Sequence, residues 1–90
     1  MEADVRQQQL VMIYANTVVD LLGFTGEDAA RERFNLVEAL NADLPVDYEE
    51  LQRQAGKQLS EDELRSALRE HEVSDSEADE LVGHFYRGEG

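Results

Sequence analysis

The chain has 90 residues, 41% of them apolar, and carries 21 acidic against 8 basic side chains, a formal net charge of −13. This length suits one domain with one modest hydrophobic core. The absence of cysteine excludes disulfides and thiolate metal ligands. The strong negative charge argues against direct binding to nucleic acid or to an anionic membrane, because the field of the protein repels both.

The start of the chain and its apolar runs bear on location. The segment from Met1 to Asp4 is acidic and lacks the basic region of a signal peptide. The longest apolar run, Leu10 to Ala15, is far shorter than the roughly 20 residues that cross a bilayer. We therefore expect a cytoplasmic protein with no membrane partner.

Four capping-box patterns, each a small polar residue followed three positions later by an acid, predict helix starts. They begin at Thr25, Asp47, Ser60 and Ser74. The capping oxygen accepts a hydrogen bond from a free backbone N–H, and the helix dipole favours acids in the first turn. These starts indicate helices rather than strands for most of the chain.

The predicted helix ends agree with these starts. Gly23, Gly56 and Gly88 each follow a helical segment and suit the left-handed residue that closes a helix. Pro45, the single proline, separates the second helix from the third. The fold class predicted is all-α: one domain spanning 1–90, a bundle of about five short helices, with 1–9 and 87–90 expected to fray. The predicted helices are 3–22, 26–41, 48–56, 61–71 and 75–87.

The first helix is predicted to be the longest and most apolar. Between Leu10 and Leu22 its polar residues are Asn16, Thr17 and Asp20, so most of its circumference is apolar. Such a helix must be buried on most sides, either by the other four helices or by a second chain. The predicted partner-binding residues are its second apolar stripe and the aromatic end of the chain: Val11, Ala15, Val18, Val19, Leu22, Phe85 and Tyr86.

Three of the later helices have a single apolar face at helical spacing. These faces are expected to point into the core. They comprise Ala30, Phe34, Val37 and Leu40 in the second helix, Leu64, Ala67 and Leu68 in the fourth, and Ala78, Leu81, Val82 and Phe85 in the fifth.

Neither a metal site nor a catalytic site is predicted. Asp75, Glu77 and Asp79 have the spacing of calcium ligands, but the glycine and the final acid of an EF-hand loop are replaced by Glu80 and Tyr86. Glu80 and His84 read as an ordinary i,i+4 pair. No nucleophile elbow or phosphate-binding glycine loop occurs. The chain is therefore expected to be no enzyme and to need no cofactor.

A second surface is the carboxylate cluster on the fourth and fifth helices. Carboxylates three or four positions apart on a helix lie about 5–6 Å apart, so such a row could imitate a phosphate backbone in the basic cleft of a nucleic-acid-binding protein. Its residues are Glu61, Asp62, Glu63, Glu70, Glu72, Asp75, Glu77, Asp79 and Glu80.

Three interpretations follow from these patterns. The first is a small acidic, non-enzymatic regulator, adaptor or accessory subunit that contacts another protein, or a second copy of itself as a homodimer, through an apolar helix face. The alternative is an acidic inhibitor that mimics nucleic acid. The third is a halophilic protein whose acidity reflects habitat alone, in which case folding should need molar salt.

The stretch from Leu22 to Ala29, with its glycine stop and Thr-Gly start, resembles the helix–turn–helix of the small helical zeta inhibitors of bacterial F1-ATPases. The likeness covers under a tenth of the chain, and its elements are common to many helix pairs. No function is carried over from it.

Overall fold

A computed structural model describes the backbone of residues 2–87 and the side chains of residues 5–85. Five helices follow one another: α1 Glu2–Leu22, α2 Gly26–Asn41, α3 Tyr48–Ala55, α4 Glu61–Glu70 and α5 Asp75–Arg87. The prediction of an all-α bundle of five helices is confirmed, and each predicted boundary lies within one residue of the observed one. Of the ends that were expected to fray, residues 2–9 and Arg87 are helical, and residues 1 and 88–90 lie outside the described part.

The caps explain most of these boundaries. The Ser60 side chain accepts a hydrogen bond from the Glu63 N–H, and the Glu63 carboxylate accepts one from the Ser60 N–H, a complete capping box. Ser74 and Glu77 form the same reciprocal pair. At Thr25 the expected side-chain bond is absent, so α2 begins without a cap from that hydroxyl.

Two helices are followed by residues that have left-handed backbone geometry without being glycine. Gly23 and Gly56 close α1 and α3 with positive φ, as predicted. After α2 and α4 the residue with positive φ is instead Asp43 at φ 58° and Glu72 at φ 65°, each two positions beyond the last residue of its helix. After α4 the Val73 N–H donates to the Leu68 carbonyl at 3.2 Å, and this bond holds the reversed chain in place.

α1 lies at the centre of the bundle, with α2 and α4 packed against it and α5 packed against α4. The core combines residues from all five helices and their loops, and its largest fully buried side chains are Tyr14, Val18, Leu64 and Leu68. Between Leu10 and Leu22, the exposed residues of α1 are Met12, Asn16 and Asp20, which form a narrow stripe. The sequence left open whether α1 is covered by the other helices of the same chain or by a second chain. The structure shows cover by the same chain.

The predicted inner face of α2 is confirmed at Val37 and Leu40, which pack against the core, and is wrong at Ala30 and Phe34. Phe34 is 60% exposed and Ala30 is exposed, whereas Leu36 is only 3% exposed. Leu36 lies about 200° around the helix from Phe34, so the two cannot both face the core. α2 turns Leu36 inward, with Val37 and Leu40 half-buried beside the core, and leaves Phe34 in solvent.

No helix in residues 2–87 has the length and apolar character needed to traverse a lipid bilayer.

Candidate functional site

The apolar face of α1 that was predicted to bind a partner is buried within one chain. Its five residues and Phe85 of α5 are each at most 4% exposed, and the side chain of Tyr86 lies outside the described part. The prediction of this face as a free surface is therefore wrong, because α2, α4 and the loops cover it. The residues concerned are Val11, Ala15, Val18, Val19, Leu22 and Phe85.

A network of side-chain hydrogen bonds connects α1, α3 and α5. The hydroxyl of Tyr14 donates to the hydroxyl of Tyr48 at 2.8 Å, and the Tyr48 hydroxyl lies 2.8 Å from Nδ1 of His84. The His84 ring meets both tyrosine rings edge to face. Burial raises the pKa of Tyr48 to about 12, against the opposing effect of the Tyr14 hydrogen bond, so the phenol stays protonated at neutral pH.

Sequence analysis missed this network. Tyr14, Tyr48 and His84 are separated by more than 30 positions each, and nothing local links them. The available signal was the general need of a buried tyrosine hydroxyl for a partner. Because the Nδ1 atom of His84 faces the Tyr48 hydroxyl, we interpret the network as a structural connection between the three helices.

The carboxylate cluster on α4 and α5 is exposed but interleaved with arginines. Arg65 bridges the two helices by pairing with Glu61 at 3.1 Å and with Asp79. Arg69 Nε lies 3.3 Å from a carboxylate oxygen of Asp75. These pairs break the cluster into alternating charges, whereas a phosphate backbone is uniformly negative.

The remaining members of the cluster divide into paired and unpaired carboxylates. Glu63 belongs to the α4 cap and lies 3.7 Å from Lys57 Nζ. Glu77 pairs with Arg6 of α1 at 2.7 Å. Among the described side chains, four are exposed and make no ion pair: Asp62, Glu70, Glu72 and Glu80.

The Arg6–Glu77 pair joins the first turns of α1 to the start of α5. Two guanidinium N–H groups donate to the two carboxylate oxygens of Glu77, at 2.7 and 3.0 Å. These bonds, together with the backbone N–H of Ser74, lower the pKa of Glu77 from 4.5 to about 2. In the part of the chain that is described, no group of three or more histidine or acidic side chains is placed to hold a metal ion.

An open groove lies between α2 and α3, beside the loop that joins them. It encloses about 350 Å³. Its apolar lining, called the floor below, consists of the buried Leu36 and Leu51, the half-buried Ala39 and Val46, and the exposed Pro45. Its rim carries the acids Glu32, Asp47 and Glu50, and no lysine or arginine lines it among the described residues. Sequence reasoning missed this groove because it assigned α2 the wrong inner face.

The three rim acids differ in the hydrogen bonds and ion pairs that their carboxylates receive. Asp47 accepts a hydrogen bond from the Glu50 N–H at 3.0 Å. Glu50 pairs with Arg53 at 2.7 Å and accepts a bond from Gln54. The Glu32 side chain is only 16% exposed, yet its nearest cation among the described side chains is Arg31 Nε at 3.9 Å, beyond hydrogen-bond distance.

A second depression at the end of α3 is wider, at about 520 Å³, but has a polar lining that includes Gln52, Arg53 and Lys57. It offers no apolar side chain to anchor a partner. The groove between α2 and α3 is therefore the better candidate site.

No family model, no curated protein and no solved structure matches the chain.

Proposed function

We propose that the chain is a small, non-enzymatic binding protein, a regulator or adaptor, that receives an apolar side chain of another protein in the groove between α2 and α3. The observation that carries this proposal is the open groove of about 350 Å³, whose accessible apolar lining is Ala39, Pro45 and Val46 above the buried Leu36 and Leu51, while the apolar face of α1 is buried. An apolar side chain seated in a pocket is the usual anchor of a protein interface.

The acidic-mimic alternative has less support. Arg65 and Arg69 lie among the carboxylates of α4 and α5, so the positive cleft of a nucleic-acid-binding protein would meet cations as well as anions. A homodimer through α1 also loses its basis, because one chain covers that face and two chains at −13 each would repel.

Amide NMR mapping tests the proposal. The ¹⁵N-labelled protein is titrated with a synthetic helical peptide that carries leucines on one face and lysines on the other. We expect the largest shift changes at groove residues Leu36, Val46 and Leu51. Changes confined to α4 and α5, or none at the groove, would overturn the proposal.

A matched pair of variants sharpens this test. Ala39→Leu fills the groove, and Ala30→Leu adds the same side chain to the exposed, opposite side of α2. We expect Ala39→Leu to weaken peptide binding about tenfold and Ala30→Leu to leave it unchanged. Equal affinity of both variants would contradict insertion at this groove.

A further inference from the structure

The most informative side chain in the groove is the carboxylate of Glu32. Its side chain belongs to α2 and is 16% exposed, and because no buried side-chain oxygen among the described residues lacks a hydrogen-bond partner, the carboxylate oxygens of Glu32 are still reached by solvent. No hydrogen-bond donor reaches it among the described residues, whereas the two other rim acids are held by the α3 cap, by Arg53 and by Gln54. A partly covered carboxylate without a strong donor gains free energy when a cation approaches it.

The surroundings of Glu32 limit what can supply that cation. The Arg31 side chain is 61% exposed and its Nε lies 3.9 Å from a carboxylate oxygen of Glu32, while its Nη2 pairs with Asp28 at 2.9 Å. The groove lining brings no basic side chain of its own among the described residues. The chain has 8 basic residues against 21 acidic ones, so its surface field attracts a positively charged partner and orients it during approach.

We propose that the occupant of the groove is a basic segment of another protein, which inserts an apolar side chain over Leu36 and Leu51 and places a lysine or arginine against Glu32. This inference rests on the proposed function and adds the chemistry of the partner. The apolar floor supplies affinity, and the Glu32 carboxylate selects a cation beside the inserted side chain.

The experiment compares peptides that share one leucine pattern and differ in their flanking residues, which are lysine, glutamine or glutamate. Binding is measured by titration calorimetry, with amide NMR to locate each peptide. The lysine peptide should bind at the groove at least about tenfold more tightly than the glutamine peptide. The glutamate peptide should bind weakest.

Glu32→Gln and Glu38→Gln separate the local contact from the general field. Both remove one negative charge from α2, but Glu38 is exposed and does not line the groove. We expect Glu32→Gln to lower the affinity of the lysine peptide at least about fivefold and to leave the glutamine peptide unchanged. Glu38→Gln should change neither by more than about twofold.

The outcomes distinguish the two proposals. If all three peptides bound at the groove with equal affinity, the proposal of a basic partner would be overturned and the proposed function would stand. If the lysine peptide binds more tightly but Glu32→Gln and Glu38→Gln change its affinity equally, the role of Glu32 would be overturned. The absence of any peptide from the groove would overturn the proposed function and this inference together.

Discussion

At the scale of single residues, buried polar groups do more to position the helices than the sequence suggests. Tyr48 lies at the first position of α3, where its ring packs near Phe85 and its hydroxyl bridges Tyr14 and His84. One hydroxyl thus connects three helices. Its removal takes away two hydrogen bonds at a buried site, and the cost of such a loss exceeds the modest net value of an exposed bond.

Tyr48→Phe is therefore expected to lower the free energy of unfolding by about 1–3 kcal/mol, because the ring still packs while its hydrogen bonds are lost. Urea denaturation followed by circular dichroism measures this change. The neighbouring exposed substitution Glu49→Gln serves as the control and should stay within about 0.5 kcal/mol of the parent. An unchanged midpoint for Tyr48→Phe would show that the network adds no stability.

The Arg6–Glu77 pair gives a prediction about pH. The pKa of Glu77 is lowered to about 2 in the folded chain from an ordinary value of 4.5, so the folded state favours the ionised carboxylate. Its stabilising effect is complete above about pH 4.5 and is lost as the pH falls toward 2. Glu77→Gln should be less stable than the parent at pH 7, and the difference should shrink on acidification through this range. Unfolding curves across the pH series measure it.

Glu80→Gln is the control for this pH effect, since Glu80 is exposed on the same helix and makes no ion pair among the described side chains. The free energy of unfolding of Glu80→Gln should differ little from that of the parent, and the difference should stay nearly constant from pH 7 to pH 2. If Glu77→Gln lowered the free energy of unfolding by the same amount at pH 7 and near pH 2, the lowered pKa of Glu77 would be contradicted.

The left-handed residue Glu72 gives another prediction. A non-glycine side chain at φ 65° costs roughly 1–2 kcal/mol, and glycine avoids this cost while losing more freedom on folding. Glu72→Gly should raise the free energy of unfolding by about 0.5–1 kcal/mol. Glu70→Gly removes the same charge from the right-handed end of α4 and should destabilise the protein. Thermal unfolding of both variants tests this; a loss of stability in Glu72→Gly would contradict it.

At the scale of helices, the caps were the most predictable feature, because each depends on residues only three positions apart. Ser60 and Ser74 form the expected boxes, and Gly23 and Gly56 close their helices. Thr25 has the same sequence pattern without the side-chain bond. A cap pattern therefore located the start of α2 correctly, even though the predicted interaction is not made there.

Ser60→Ala and Thr25→Ala form a matched pair at this scale. Ser60→Ala removes an observed capping bond and should lower the free energy of unfolding by about 1 kcal/mol. Thr25→Ala removes a hydroxyl that makes no cap bond, so its effect should be much smaller. Chemical denaturation compares the two, and equal losses would contradict the different roles of the two side chains.

The faces of the helices were harder to predict than their boundaries. α4 turns Leu64 and Leu68 inward as its spacing indicates. In α2 two apolar sets compete, one around Phe34 and one around Leu36, and the packing of α2 against α1 decides between them. The groove and its Glu32 carboxylate depend on that rotation, so local sequence patterns could not locate them.

At the scale of the whole molecule, one chain closes its core around α1. The sequence indicated that this helix had to be covered, but its composition does not specify what covers it. The folded chain supplies the cover itself, because Leu22, Leu36 and Leu64 are all 3% exposed or less in a single chain. The remaining surface carries the groove between α2 and α3, strong negative charge and scattered exposed apolar side chains such as Phe34 and Leu44.

Sedimentation equilibrium at low and high salt tests this closure most directly. We expect the mass of one chain, 10.2 kDa, across micromolar concentrations and at both salt levels, with the helical circular dichroism retained at low salt. Low salt increases the repulsion between chains of charge −13, and high salt screens it without exposing an apolar face. A mass of two chains at either salt level, or loss of helix without molar salt, would contradict a core that one chain completes by itself.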